Sequence, residues 1–238
     1  YSTIAMIALS AVLLIIQFGF DVTLLKENKT YLIIQIMSSF VIAFTAFFVR
    51  YMFEQFGKIK CLCVEDTEKM SNLLESDYEL IRRLQAFSAN LFIHSMRVSV
   101  MSMRVSQKMG YNSLLAKAGG MYHEIGRIKK EENYVEATND IAYAYDFPKC
   151  LTDLILQVCD KDEKPESREA MVVMLSDSIV SMIEYFEKNT DKSRPSKEKL
   201  IESVFANRQK KGNFDNCDIS EKEIEGIKET YKNINMDF

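Results

Sequence analysis

Two histidines occur in the 238 residues, and each interrupts an apolar pattern. His94 closes the run Leu91-Phe92-Ile93-His94, and His123 stands in Tyr122-His123-Glu124-Ile125-Gly126-Arg127. Asp177 breaks the long apolar stretch from Ala170 to Ile183 and shares a helical face with Ala170, Val173 and Met174. A carboxylate on such a face needs a partner or a metal. Two imidazoles and an acid from three helices, with Glu124 beside the second imidazole, suit a divalent ion that favours oxygen and nitrogen, such as Mn²⁺ or Fe²⁺. Such an ion acidifies water and neutralises a phosphate ester. His94, His123, Glu124 and Asp177 are therefore the candidate metal ligands, with Glu124 also the candidate catalytic carboxylate. Two ordinary readings stay open. A lone inward histidine is commonly a hydrogen-bonded core residue, and Asp177 has Arg97, Arg104 and Arg168 as alternative partners.

These side chains need helices to carry them. Only 8 Gly and 3 Pro interrupt a chain that is 47% hydrophobic, which argues for long helices over turn-rich sheet. From Glu65 to Gln85, Met70, Leu73, Leu74, Leu80, Ile81 and Leu84 recur at helical spacing and predict a connector helix. Asn90–Met109 reads as one helix, with Phe92, Met96, Val100, Met103 and Met109 apolar. Asn112 or Ser113 caps the next, which runs to His123. Its Gly119 and Gly120 allow another helix to approach closely. Further helices are expected over Tyr134–Tyr145, from Pro148, over Arg168–Lys188 and over Lys197–Gln209. Ser220 and Glu223 form a capping box for the last.

Hydrophobicity is concentrated at the amino end. Tyr1 to Phe20 and Tyr31 to Val49 carry no charge, and a short charged link joins them. Each approaches the ~20 apolar residues that cross a bilayer. The expected organisation is all-α: a membrane region over 1–57 with spans at 3–20 and 31–49, a connector over 58–85, and a helical bundle over 86–238. Arg50, Lys58 and Lys60 outnumber Lys26 and Lys29 of the link, which favours a cytoplasmic carboxyl side. The first residue is Tyr, already beside the first span, so a fragment of a longer protein is expected. Net charge is −4 with no basic run, which argues against DNA or RNA as partners. The five cysteines lack zinc-type spacing and read as reduced thiols.

Tyr122-His-Glu-Ile-Gly-Arg127 resembles the Tyr-His-Asp-Ile-Gly-Lys signature of HD-domain phosphohydrolases. His94-Ser95, Leu114-Leu-Ala-Lys-Ala-Gly119, Glu169-Ala-Met-Val-Val-Met-Leu-Ser-Asp-Ser178 and Asn213-Phe-Asp-Asn-Cys-Asp-Ile-Ser220 are similar to one branch. That branch is the seven-transmembrane receptor family with an intracellular HD domain, whose studied members hydrolyse cyclic di-AMP. The resemblance covers nearly all of residues 80–232. It implies an HD-type helical bundle on the cytoplasmic side of a bacterial cell membrane, a multi-pass anchor, an upstream sensor, a cyclic dinucleotide partner and a homodimer. It also implies that His94 and His123 are the first two histidine ligands, Glu124 stands in the place of the metal-bridging Asp, and Asp177 is the last carboxylate ligand.

Three departures follow from the same resemblance. Tyr134 stands where the family has a metal-binding His, and Val158-Cys159 stands where it has His-His. The segments after Arg127 and Cys159 are also shorter than the family pattern. Four protein ligands remain, enough for one ion, whereas a two-metal site holds cations ~3.5–4 Å apart. A tyrosine hydroxyl at 134 could still address a phosphate. The expectation is an HD phosphohydrolase with weak or lost phosphodiesterase activity, holding one Mn or Fe ion or none; the alternative is a non-catalytic nucleotide-binding or signalling module.

Overall fold

The computed structural model describes residues 64–160, 164–189, 191 and 193–235, together with positions 44, 45, 47, 48 and 50. The chain divides into two units, Tyr1–Leu62 and Cys63–Phe238. In the first, Phe44, Thr45, Phe47, Phe48 and Arg50 are helical. The remainder of the two expected spans, 3–20 and 31–49, lies outside the described residues. Among the described residues no helix is long and apolar enough to cross a membrane.

The described part of the second unit is all-helical. Its order is α1 Val64–Leu73, α2 Glu79–Phe87, α3 Ala89–Met109, α4 Ser113–Tyr122, a 3-10 turn Ile125–Lys129, α5 Tyr134–Ala144, α6 Lys149–Cys159, α7 Arg168–Lys188, α8 Lys197–Lys210 and α9 Glu221–Asn233. Local chemistry fixes the starts. Ser88, Asn112, Asn133, Ser167, Ser196 and Ser220 each accept a backbone N–H three residues on, at the first turns of α3, α4, α5, α7, α8 and α9. Gly110, at φ 74°, ends α3 in the left-handed region that glycine tolerates best.

Three helices position the site: α3, α4 and α7, each packed on the other two. The core between them includes Val98, Met101, Val105, Ala116, Ala118, Val172, Val173, Leu175 and Ile179. The close pair is α3 with α4. A Cβ on Gly120 would lie 2.6 Å from the Ser99 Cα and 2.7 Å from its nitrogen, so a side chain there would collide with backbone. On the far side, Tyr231 of α9 is fully buried and its hydroxyl donates to the Val172 carbonyl at 2.8 Å, fastening the last helix to α7.

One expectation is corrected. The residues Glu65 to Gln85 are not one connector helix but α1 and α2, separated by Leu74–Tyr78. The helix stops because Leu73 turns inward, 3% exposed, and its carbonyl accepts the Tyr122 hydroxyl. Leu80 and Leu84 are also fully buried, so this segment is part of the core. On α3 the apolar residues fall on both faces. Met96 is 37% exposed, and the buried positions are Leu91, His94, Ser95, Val98, Ser99, Met101, Ser102, Val105 and Ser106. Small serines on that face let α4 come close.

Candidate metal centre

The run Tyr122 to Arg127 sits where α4 ends, and each residue has a physical role. Tyr122 is fully buried, its ring 5.1 Å from that of Phe147. His123 follows the last turn, and its Nδ1 is 2.8 Å from the Gly120 carbonyl. A carbonyl only accepts, so Nδ1 carries a proton, and in the neutral ring Nε2 carries the lone pair. That Nε2 is buried and has no hydrogen-bond partner. Ile125 enters the core, and Gly126 lies against the Tyr134 carbonyl and Thr138, where a Cβ would collide. Glu124 is half-buried and ion-paired with Arg127.

The other imidazole comes from the first half of α3. The His94 and His123 ring centroids are 5.4 Å apart. His94, His123 and Glu124 each offer a ligand atom within 4.8 Å of the others. Asp177 enters the cluster through the imidazoles: its Oδ1 lies 3.2 Å from His94 Nε2 and 3.7 Å from His123 Nε2. The Ser181 hydroxyl also donates to this oxygen at 3.2 Å. The structure thus brings all four candidate residues together, from α3, the α4 end and α7. The arginines that competed for Asp177 are engaged elsewhere: Arg97 with Glu184 and Glu187, Arg104 with the Asn235 carbonyl, Arg168 with Glu223.

Electrostatics follow from this packing. Burial pushes the Asp177 carboxyl up, but the His123 and His94 imidazoles outweigh it and hold the group far below the usual carboxylate range. His94 lies between two acids, since its Nδ1 is 3.2 Å from Glu184 Oε2. Burial opposes charge on His94, yet Asp177, Glu184 and Glu124 together raise its pKa. An imidazole with a carboxylate at each nitrogen satisfies both when it carries both protons.

Glu184 did not emerge from sequence reasoning. It lies seven residues, two helical turns, beyond Asp177 on the same face of α7. That spacing was the available signal. Metal-ligating histidines commonly donate their second N–H to such a carboxylate, which fixes the ring.

The positions where ligands were expected to be missing lie near Glu124. Tyr134 directs its hydroxyl to the His123 carbonyl at 3.0 Å, which makes it a strut behind that histidine and not a free phosphate donor. Burial, then Glu124 and then Cys159 raise its pKa. Val158 and Cys159 end α6, half-buried. Burial pushes the Cys159 thiol up to about 11, with Thr138 opposing, so it is a protonated thiol at neutral pH and a poor ligand for a hard cation.

His94, His123 and Glu124 offer donors close enough together to suit a divalent ion, and Asp177 contacts both imidazoles. Chemically, such a constellation can hold a cation against a phosphate ester.

Residues 91–182 match the HD domain family. The chain is 21% identical over 216 residues to the cyclic-di-AMP phosphodiesterase PgpH of Bacillus subtilis, covering 69% of this chain and 30% of that protein. It is 29% identical over 99 residues to ribonuclease Y of Aster yellows witches'-broom phytoplasma, covering 40% of this chain and 19% of that protein. The structure is similar to the PgpH HD domain of Listeria monocytogenes in complex with cyclic-di-AMP, with a TM-score of 0.56 and 20% identity over 65% of this chain and 93% of that one. The helices of the second unit therefore have the HD-domain fold. The chain spans less than a third of the length of the phosphodiesterase it matches.

Proposed function

We propose that this chain is a membrane-anchored HD-domain protein that holds one divalent ion and binds a cyclic dinucleotide, with the second half of a two-ion site, and with it phosphodiesterase turnover, largely lost. The observation that carries the reading is the buried, unpartnered Nε2 of His123 beside His94 and Asp177. His94, His123, Glu124 and Asp177 would hold the ion, the ligand atoms of the first three lying within 4.8 Å of one another. When bound, a divalent ion lowers the pKa of a coordinated water and offsets phosphate charge. His94 would ligate through Nε2 with its Nδ1 held by Glu184, which already orients the ring. Glu124, tied to Arg127, is the group that takes a proton from an attacking water.

The loss of turnover rests on Tyr134, Val158 and Cys159. None supplies a ligand suited to a hard second cation. Cyclic di-AMP is favoured over RNA because the PgpH match covers 69% of the chain and the ribonuclease match 40%. The membrane anchor, of multi-pass type with the HD domain on the cytoplasmic face, rests on the apolar character of 3–20 and 31–49 and on Phe44, Phe47 and Phe48, exposed by 69%, 68% and 52%. A metal-free binding module is the second reading. It is favoured by the 3.2 Å contact of His94 with Asp177, which closes the cluster on itself.

Binding and hydrolysis of cyclic di-AMP by the purified chain in the presence of Mn²⁺ test the proposal. Saturable binding with turnover near background is expected, and Tyr134→His with Val158→His and Cys159→His together should raise turnover by at least about tenfold as a second ion is admitted. Rapid hydrolysis by the unaltered chain would contradict the loss of turnover. Absence of binding would contradict the ligand.

A further inference from the structure

Arg208, in the last turn of α8, is half-buried and has an unusual set of partners. Its Nε and one terminal nitrogen both donate to the Ser178 hydroxyl, at 3.1 and 2.6 Å. Ser178 in turn donates to the Met174 carbonyl at 2.8 Å, so it can only accept from the guanidinium. The hydroxyl is held by the helix, and the guanidinium is held by the hydroxyl. Among the described residues no carboxylate forms an ion pair with Arg208, although Arg97, Arg127 and Arg168 all have one. A partly desolvated cation bonded to a neutral hydroxyl is incompletely compensated. Ser178 directly follows Asp177 on α7, so the guanidinium is fastened one residue along the helix from the metal-ligand candidate; burial lowers the Arg208 pKa and the charge of Asp177 partly offsets this.

A guanidinium has five N–H donors in a planar fork. Ser178 takes two, leaving a pinned group with three that, among the described residues, hydrogen-bond to nothing else. Planar forks of this kind match the oxygens of phosphate groups. We propose that Arg208, braced by Ser178, is an anion-binding arm that takes a non-bridging oxygen of a phosphate ester seated at the His94–His123–Asp177 cluster. This rests on the reading of that cluster as a cation site for phosphate esters. Ser178 is a positioning residue here, since it acts through Arg208.

The test is a titration of the 238-residue chain with inorganic phosphate and with cyclic di-AMP, read by calorimetry, with manganese content measured in parallel. Arg208→Met should weaken both ligands by at least about tenfold, the scale of a lost charge-assisted contact. Arg208→Lys should recover part of the loss, and Ser178→Ala should weaken binding less than Arg208→Met does. Manganese content should be unchanged in all three. Equal phosphate affinity in the unaltered chain and in folded Arg208→Lys and Arg208→Met, or no phosphate binding by the unaltered chain, overturns the arm. Manganese absent from the unaltered chain while phosphate binding still depends on Arg208 sinks the metal reading and leaves the arm standing.

Discussion

His94 carries more of the site's design than any other side chain. One ring nitrogen meets Asp177 and the other meets Glu184, which is also 3.6 Å from Arg97. The acid behind the ring sets its tilt and raises its basicity, and partners of this kind are typically worth 10–100-fold in metal affinity. Glu184→Gln should therefore raise the Mn²⁺ dissociation constant by about tenfold or more. Glu187→Gln removes the other acid paired with Arg97, at 2.9 Å, without touching His94, and should leave that constant unchanged. Equal effects of the two substitutions would reduce Glu184 to a surface ion-pair member. His123 needs no such carboxylate, because the Gly120 carbonyl already fixes its proton on Nδ1.

Among elements, α3 and α4 set the distance between the two imidazoles, and Gly120 against Ser99 is what allows their approach. Further from the site, the turn after α3, the start of α7 and α9 meet at a polar tie. Glu223 accepts from Arg168 Nε at 2.7 Å and from the Tyr111 hydroxyl at 2.6 Å. The Arg168 bond, ahead of opposing burial and the Tyr111 bond, holds the Glu223 carboxyl below its usual range. A lowered folded-state pKa contributes stability that is present above the unfolded value near 4.5 and is lost as pH falls through the folded value. Glu223→Gln should then lower stability by about 1 kcal/mol at neutral pH, after allowance for solvent screening, and by progressively less in acid. Melting curves from pH 7 to pH 3 check this; a difference that grows toward low pH would contradict it.

What could be read from the sequence at this scale had local causes. Helix starts at Asn112, Ser196 and Ser220 are written in single side chains that accept a nearby N–H. The inward position of Asp177 followed from its apolar neighbours on the same face. The break between α1 and α2 was not legible, because it depends on Tyr122 reaching the Leu73 carbonyl from 49 residues away. The buried face of α3 was not legible either, because serine is polar by composition yet small enough to pack beneath α4. Glu184 and Arg208 were hidden for a related reason: charged residues on long helices ordinarily face solvent, and only the tertiary arrangement shows which meet the site.

For the whole molecule, the central question is how much of an HD-type centre survives in a chain with Tyr134, Val158 and Cys159 near it. Two imidazoles and Asp177 are in contact, while Tyr134, Val158 and Cys159 are an engaged phenol, an aliphatic side chain and a protonated thiol. On the proposed reading such a centre has one place for a cation. Calorimetric titration of Mn²⁺ into the metal-free chain tests this most directly. The account predicts one ion per chain, with binding lost in Asp177→Asn; two ions per chain, or a single ion held equally well by the Asn variant, would contradict it.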